Sequence, residues 1–103
     1  MANPPAHIFH VTTKDVVADA KDNGSYQCES LHNEGFIHCC KREQLAGVLE
    51  RYYQGVSHLQ LLEIVADNLD AKLVYENTVG GEELFPHVYG PINMTAVTAI
   101  TDI

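Results

Sequence analysis

The sequence predicts an α+β fold in which two helices pack on small, mostly antiparallel sheets. Three observations predict this class: residues 7–12 alternate in polarity, residues 59–65 are almost continuously apolar, and an amphipathic stripe runs between them. The alternation and the apolar run are typical of strands, and the stripe has the i, i+3, i+4, i+7 spacing of a helix. The chain has 103 residues, of which 46% are hydrophobic. This suits one domain over residues 1–103.

The first strand, over residues 7–12, leads into a short helix that the sequence places at about residues 13–22. Thr12 stands three residues before Asp15, which is a variant of the capping box. The following Asn23-Gly24 pair is a typical helix stop.

The middle of the chain combines an irregular segment with the firmest helix signal. Residues 26–33 have no clean period and are predicted to be loop or irregular strand, and residues 34–39 form a short buried strand. The apolar stripe then predicts a helix over residues 41–55. The apolar run at 59–65 indicates a central strand that is covered on both faces.

The last third of the chain is predicted to contain two more strands, over residues 71–75 and 96–100. Several glycines and prolines lie between them and indicate loops and short strands. They are Gly80, Gly81, Pro86, Gly90 and Pro91.

Charge excludes some partners. Six Lys and Arg against fourteen Asp and Glu give a net charge of −8, which disfavours nucleic acid and anionic membrane surfaces. Residues 1–5 lack the features of a signal peptide, and no apolar run reaches transmembrane length. We therefore expect a cytoplasmic protein without membrane or nucleic-acid partners. An odd number of cysteines, Cys28, Cys39 and Cys40, fits reduced thiols.

Three segments concentrate the residues that could do chemistry, and each places a histidine in an apolar stretch. An imidazole there loses hydration unless its nitrogens find partners. His10, His38 and His87 therefore indicate either an internal hydrogen-bond network or one shared cleft. The segments are FHVTT at 9–13, EGFIHC at 34–39 and ELFPHVYGP at 83–91.

These segments resemble the DUF952 family, whose members carry His-x-Thr-Thr, Glu-Gly-Phe-Ile-His-Cys and Phe-Pro-His-x-Tyr-Gly-Pro in this order. The resemblance extends to Ser30 and to residues 51–53 and 61–64. Two departures are visible: Cys40 stands where the family has Ser, and valines at 16–17 replace an aromatic residue. Losing that Ser is expected to weaken a helix N-cap by about 1 kcal/mol.

The resemblance implies a fold similar to the ADP-ribosyltransferase core, in which nicotinamide dinucleotide lies in a cleft between two small sheets. It implies no reaction, because none is assigned to the family. In transferases of that fold a residue of the first strand holds a ribose, and His10 with Thr12 is similar to that element. An aromatic residue stacks on nicotinamide, for which Tyr52, Tyr53 and Tyr89 are candidates.

The same fold uses a late glutamate, and the sequence leaves its identity open among Glu63, Glu82 and Glu83. His87 stands where that glutamate is expected, and a neutral imidazole supplies no fixed negative charge. Ligand binding without ADP-ribosyl transfer is therefore one reading of the sequence.

The resulting functional hypothesis is a small-molecule or nucleotide-binding domain, extending to an enzyme that acts on NAD or an ADP-ribose compound as cofactor or substrate. The alternative is a non-catalytic interaction domain whose histidine network is structural and whose partner is another protein or a second copy. The site predicted under the first hypothesis has catalytic residues His10, His38 and His87 and ligand-binding residues Thr12, Ser30, Glu34, Phe36, Arg51, Tyr53, Phe85 and Tyr89.

Two other chemistries are disfavoured, and one residue is left open. No histidine or cysteine pair has the spacing of a zinc ribbon or a metalloprotease helix. His38 and Cys39 are consecutive in a predicted strand and should face opposite sides, so the cysteines are interpreted as buried small hydrophobic residues. Glu63 is either a buried acid–base group or the partner of a cation such as Arg51.

Overall fold

Eight strands and three α-helices form the part of the chain that the computed structural model describes, residues 6–78 and 80–103. The α+β class and the antiparallel sheets are confirmed. Three short 3₁₀ turns lie at Arg42–Gln44, Ala66–Asn68 and Met94–Ala96. The strands are β1 (His7–Thr13), β2 (Ser25–Tyr26), β3 (Ile37–His38), β4 (Leu59–Val65), β5 (Lys72–Glu76), β6 (Phe85–Tyr89), β7 (Ile92–Asn93) and β8 (Val97–Asp102), and the helices are α1 (Lys14–Asn23), α2 (Glu29–Glu34) and α3 (Leu45–Tyr52).

The strands form one two-stranded and two three-stranded sheets. In the first sheet the order is β1-β4-β8, which confirms β4 as a central strand, and His10 pairs with Leu62. In another sheet the order is β3-β6-β5, and His38 pairs with His87. The small sheet joins β2 to β7. The pairing thus places two of the three motif histidines directly side by side.

A single backbone pair joins the two larger sheets. Phe9 and Cys40 exchange two N–H to carbonyl hydrogen bonds of 2.8 Å each, and the Cys39 N–H donates to the carbonyl of Pro86 at 3.0 Å. Among the described residues, no other backbone pair joins these two sheets. Phe9 and Cys40 also line the cleft described below, together with residues of α3.

The hydrophobic core lies under the first sheet and α1. Strand β1 contributes Ile8 to it. Its members are Ile8, Val17, Ala20, Tyr26, Ile37, Cys39, Leu62, Ile64, Val88, Ile92 and Ala96. The opposite face of β1, with Phe9 and Val11, lines the cleft.

Helix α1 occupies Lys14–Asn23, close to the predicted span, but its cap differs from the prediction. Thr13 is the N-cap residue, and Thr12 still belongs to β1. The predicted helix-capping role of Thr12 was wrong, because its side chain contacts the interior instead. Its Oγ1 accepts a hydrogen bond of 2.9 Å from the hydroxyl of the buried Tyr26. Gly24 ends the helix with φ 78°, a left-handed conformation that costs glycine little, so the predicted helix stop is confirmed.

Helix α2 was not expected, and it raises the helix count of the described chain from two to three. It covers Glu29–Glu34, within the segment predicted to be loop or irregular strand. None of its six residues is buried, so no apolar stripe reveals it. Gly35 ends it with φ 88°, and β3 is therefore only two residues long, shorter than the strand predicted over residues 34–39.

The expected cost of Cys40 at a helix N-cap was also wrong. Lys41 is the N-cap of the 3₁₀ turn, and its N–H donates to the side-chain oxygen of Gln44 at 2.8 Å. Cys40 pairs instead with Phe9 between the sheets. The 3₁₀ turn and α3 together confirm the helix predicted from residue 41, within a few residues at its end.

In the described ranges, no helix combines the length and the apolar character that crossing a membrane requires. The first five residues, on which the signal-peptide expectation depends, lie outside the described part of the chain.

Candidate functional site

A cleft of about 380 Å³ opens between β1, α3 and the sheet of β3 and β6. Its wall is mainly aromatic and aliphatic, with two imidazoles. The lining residues are Phe9, Val11, His38, Cys39, Cys40, Val48, Tyr52, Tyr53, Thr78, Phe85 and His87. Two of the three predicted catalytic histidines therefore meet in one cavity of ligand-binding size.

His87 is held on one face and at one nitrogen. It is 2% exposed, and its ring stacks on Phe36 with centroids 4.2 Å apart and planes 21° apart. Its Nδ1 lies 2.9 Å from Oε1 of Glu76. A carboxylate can only accept, so Nδ1 carries the proton and Nε2 is the basic nitrogen of the neutral ring.

The second ring nitrogen of His87, Nε2, has no hydrogen-bond partner among the described residues. In that part of the chain, every side-chain nitrogen or oxygen that is fully buried has a partner, so Nε2 is not fully buried. His87 lines the cleft, and we infer that Nε2 is accessible to solvent from there. Its position is that of an oriented proton acceptor.

Glu76 connects His87 to Tyr89, whose hydroxyl donates a short hydrogen bond to the same carboxylate oxygen. The bond from Tyr89, followed by that from His87, lowers the pKa of Glu76 below its usual value. The same bond raises the pKa of Tyr89 above that of a free phenol. Glu76 is therefore an ionised anchor for both rings.

Removing this charge should be visible at Tyr89. In a Glu76→Gln variant we expect the pKa of Tyr89 to fall back towards the ordinary phenol value, because a neutral amide no longer holds the phenolic proton. Tyrosine ring-carbon NMR across an alkaline titration measures it. Tyr75, whose pKa is raised mainly by burial, is the internal control and should not move. A Tyr89 titration that stays unchanged in the variant would contradict the assigned contact.

His38 also contacts a carboxylate, but through its other ring nitrogen. Its Nε2 lies 3.0 Å from Oε2 of Glu34, four residues earlier at the end of α2. The ring centroids of His38 and His87 are 5.2 Å apart, and Phe36 touches both rings. Within the described chain the two imidazoles are not bonded to each other, so each keeps one nitrogen that its carboxylate does not occupy.

His10 lies in the interior instead of the cleft. Its Nδ1 donates to the carbonyl of His38 at 2.6 Å, and its Nε2 lies 2.6 Å from the hydroxyl of Tyr26. Thr12 contacts the same hydroxyl at 2.9 Å. Burial lowers the pKa of His10 to about 4. This network ties the backbone of His38 to the core, so His10 and Thr12 support the cleft from behind.

The other predicted ligand-binding residues divide into two groups. Tyr53 and Phe85 line the cleft, and the Tyr53 hydroxyl also donates to the carbonyl of Val11 at 3.2 Å. Ser30 donates to the carbonyl of Phe36 at 2.9 Å and so fixes the turn that positions this ring. Arg51 is exposed on α3, beside Gly47, and does not contribute to the lining.

The carboxylates at the histidines are not the late glutamates considered from the sequence. Glu63 contacts His7 at 2.5 Å and Arg42 at 3.9 Å, so its cation partner is not the predicted Arg51. Glu82 and Glu83 are exposed. Glu76 was missed because only the β5–β6 register, with Val74 opposite His87, brings it to this ring.

The thiols of the cleft wall behave as buried apolar groups, as predicted. Cys39 and Cys40 are 5% and 2% exposed. Desolvation raises the pKa of Cys39 well above that of a free thiol and that of Cys40 to about 11. Because the thiolate is the nucleophile, neither cysteine is activated for attack.

Comparison with known proteins assigns the family. The model of the family described as "Protein of unknown function (DUF952)" matches residues 11–100. The chain belongs to the DUF952 family. Its motif histidines at 38 and 87, which meet in the cleft, lie inside the matched region.

Solved structures similar to this DUF952 domain share its fold. The crystal structure of protein CC0527 from Caulobacter crescentus is 29% identical, with a TM-score of 0.84 over 93% of this chain and 84% of that chain. The solution NMR structure of CC0527 is 28% identical, with a TM-score of 0.80 over 94% and 84% of the two chains. No curated protein matches the sequence.

Proposed function

We propose that this DUF952 domain binds a small organic molecule with a planar ring in the cleft, and that His87 exchanges a proton with the bound molecule. The observation that carries the proposal is the environment of His87, whose Nδ1 is held by Glu76 while its Nε2 is free at the cleft. A carboxylate that fixes the tautomer and orientation of an imidazole is a recurrent feature of histidine general bases.

The character of the wall supports an uncharged ring as the ligand. Phe9, Phe85, Tyr52 and Tyr53 offer aromatic faces and edges. Among the described residues, no lysine or arginine lines the cleft. A phosphate or carboxylate placed there would lose hydration without gaining a charged donor. The volume of about 380 Å³ suits a small ligand that fills the cavity with its ring.

A nicotinamide-bearing nucleotide is the second candidate, and one observation favours it. The cleft is lined by Phe9 and Cys40, which bridge the two larger sheets, and the resemblance to the ADP-ribosyltransferase core implies nicotinamide dinucleotide in a cleft between two small sheets. In this version of the proposal the nicotinamide ring occupies the cleft, and the phosphates extend past its cation-free wall into solvent.

The test is a thermal-shift series on the intact protein with nicotinamide, nicotinamide riboside, ADP-ribose and NAD. A ligand at one hundred times its dissociation constant stabilises a fold by about 2.7 kcal/mol. In a domain of this size that corresponds to a melting-temperature increase on the order of 10 °C. We expect the increase from nicotinamide, whose ring is uncharged, whereas an increase from nicotinamide riboside and NAD, whose rings are cationic, would favour the second candidate.

Two exposed tyrosines provide a matched pair of variants. Tyr52 lines the cleft and is 62% exposed, whereas Tyr75 is 41% exposed and lies outside it. Neither substitution to alanine should unfold the domain, because both side chains lie at the surface and neither belongs to the hydrophobic core. Tyr52→Ala should weaken the thermal stabilisation by the ligand, and Tyr75→Ala should leave it unchanged.

The outcomes separate the candidates. Stabilisation by ADP-ribose as large as that by NAD would favour the nucleotide with its phosphates as the main contact. Equal weakening in both tyrosine variants would place the ligand elsewhere. No increase in melting temperature with any of the four compounds would contradict binding of this class of ring and would favour the interaction-domain alternative.

A further inference from the structure

The cleft contains two histidines, each bonded to its own carboxylate, although a single general base needs only one. We infer that His38 and His87 act as an acid–base pair that relocates a proton within one bound, uncharged carbonyl compound. This inference rests on the proposed binding cleft and adds the reaction class and the role of His38.

The geometry comes from the strand register. His38 and His87 are direct partners in the antiparallel pairing of β3 with β6, so both side chains leave the same face of the sheet. Their ring centroids are 5.2 Å apart, and both rings line the cleft. A molecule seated there can contact both imidazoles at once, at two different atoms.

Each ring has its own carboxylate, and the two carboxylates come from different elements. Glu34 at the end of α2 lies 3.0 Å from His38 Nε2, and Glu76 on β5 lies 2.9 Å from His87 Nδ1. The other nitrogen of each ring has no hydrogen-bond partner in the described ranges. Two separately anchored imidazoles can therefore hold opposite protonation states, one as acid and one as base.

The absence of lysine and arginine from the described lining limits which reactions fit. Transfer of a phosphoryl group or formation of a lasting oxyanion gains from fixed positive charge. A reaction in which one proton leaves as another arrives needs none, since the substrate stays neutral throughout. Interconversion of a ketone and its enol is such a reaction.

The step balances without a co-reactant. His87 Nε2 takes a proton from the carbon beside the carbonyl, and the C–H electron pair becomes the C=C bond. The carbonyl π electrons move to oxygen, which takes a proton from the protonated His38. The product is the enol, and the reverse step restores the ketone. His38 is exposed and takes a new proton from water, and His87 releases its proton to water through the cleft once the product has left.

The experiment follows exchange of the benzylic protons of phenylacetone in D₂O by ¹H NMR. This probe is an uncharged ring compound with acidic C–H groups beside a carbonyl. We expect the intact protein to accelerate exchange over buffer. His87→Asn and His38→Asn should each reduce the acceleration by about 10²-fold or more, the usual contribution of a positioned acid or base. His32→Asn, exposed on α2 and outside the cleft, should exchange like the intact protein.

The pH profile supplies a readout that a purely structural role would not move. Acceleration should be bell-shaped, because the pair works only while one imidazole carries a proton to donate and the other can accept one. The ionisable groups around the pair are its carboxylate partners Glu34 and Glu76, Tyr89 bonded to Glu76, His10 bonded to the carbonyl of His38, and the cleft-lining Cys39, Cys40, Tyr52 and Tyr53. Either histidine variant should lose one limb of the bell. Circular dichroism confirms that each variant is folded before its rate is compared.

Binding and exchange are measured separately on the same samples. If phenylacetone raises the melting temperature but exchanges no faster than in buffer, the acid–base pair is refuted and the proposed cleft stands. If only His87→Asn loses exchange, His38 is not the acid and the pair is refuted while the general base stands. If phenylacetone neither stabilises the protein nor exchanges, the result counts against both the pair and the proposed function.

Discussion

Acidification from about pH 6.5 to about pH 4 is expected to cost the folded protein about 3 kcal/mol through His10 alone. Burial lowers the pKa of this ring from 6.5 to about 4, and each pH unit between the pKa values of the unfolded and folded chains corresponds to about 1.4 kcal/mol. Between these pH values the unfolded chain binds a proton that the folded chain does not. The contribution of His10 to the free energy of unfolding is therefore fully present above pH 6.5 and is lost as the pH decreases towards 4.

The loss is large because His10 is buried, and burial removes the hydration that would stabilise its charged form. Its Nδ1 donates to the carbonyl of His38, and its Nε2 lies 2.6 Å from the hydroxyl of Tyr26, which donates its own proton to Thr12. Protonation would place a positive charge in this desolvated site. Since the carbonyl belongs to a cleft residue, acid unfolding should begin with loss of the cleft.

Urea unfolding at several pH values between 7 and 4 measures this dependence. His10→Gln removes the titrating group, so its stability should change little with pH above about 4.5, whatever its absolute value. His58→Gln, at an exposed histidine, should keep the slope of the intact protein. Glu76 and Asp15, whose pKa values are lowered below those of ordinary carboxyl groups, contribute only at still lower pH. An unchanged slope in His10→Gln would contradict the assignment.

Leu62→Ala is expected to destabilise the domain by about 2–5 kcal/mol, the usual range for a core leucine. Leu62 is fully buried on the central strand β4, between His10 on β1 and Ile100 on β8. Its neighbours are held by the strands on either side and cannot collapse easily into the space. A large part of the cavity should therefore persist, which increases the cost.

Leu84→Ala is the matched control for this substitution. Leu84 is 47% exposed just before β6, and truncating it should change stability by no more than about 0.5 kcal/mol. Chemical denaturation of both variants, with the slope against urea unchanged, checks the prediction. A loss below about 1 kcal/mol for Leu62→Ala would show that β4 relaxes around the missing side chain.

The local patterns of the chain predicted most elements because they depend on near neighbours in sequence. The alternation in β1, the apolar run of β4 and the stripe before Gly55 each identified a real strand or helix. Gly24 predicted the end of α1 correctly, because the residue that ends this helix adopts a left-handed conformation that glycine adopts at little cost. Helix α2 was not predicted because none of its residues is buried, and hydrophobic periodicity detects only helices that have a buried apolar face.

The candidate site was predicted in part. His38, His87, Tyr53 and Phe85 line the cleft, while Glu34 and Phe36 contact its histidines. His10 and Thr12 were expected there from the first histidine segment and from the family resemblance, yet both side chains are buried in the interior. A strand pattern separates two faces but does not say which one meets a cavity.

The sequence by itself determined the family, the α+β class and the three histidine segments, because motifs and periodicities are written in neighbouring residues. Only the tertiary structure decided which histidines meet. The register of β3 with β6 places His38 beside His87, and the register of β5 with β6 places Glu76, 11 residues before His87, within hydrogen-bond distance of the His87 ring. Such contacts depend on strand pairing between distant segments, and that pairing is fixed by packing of the whole core.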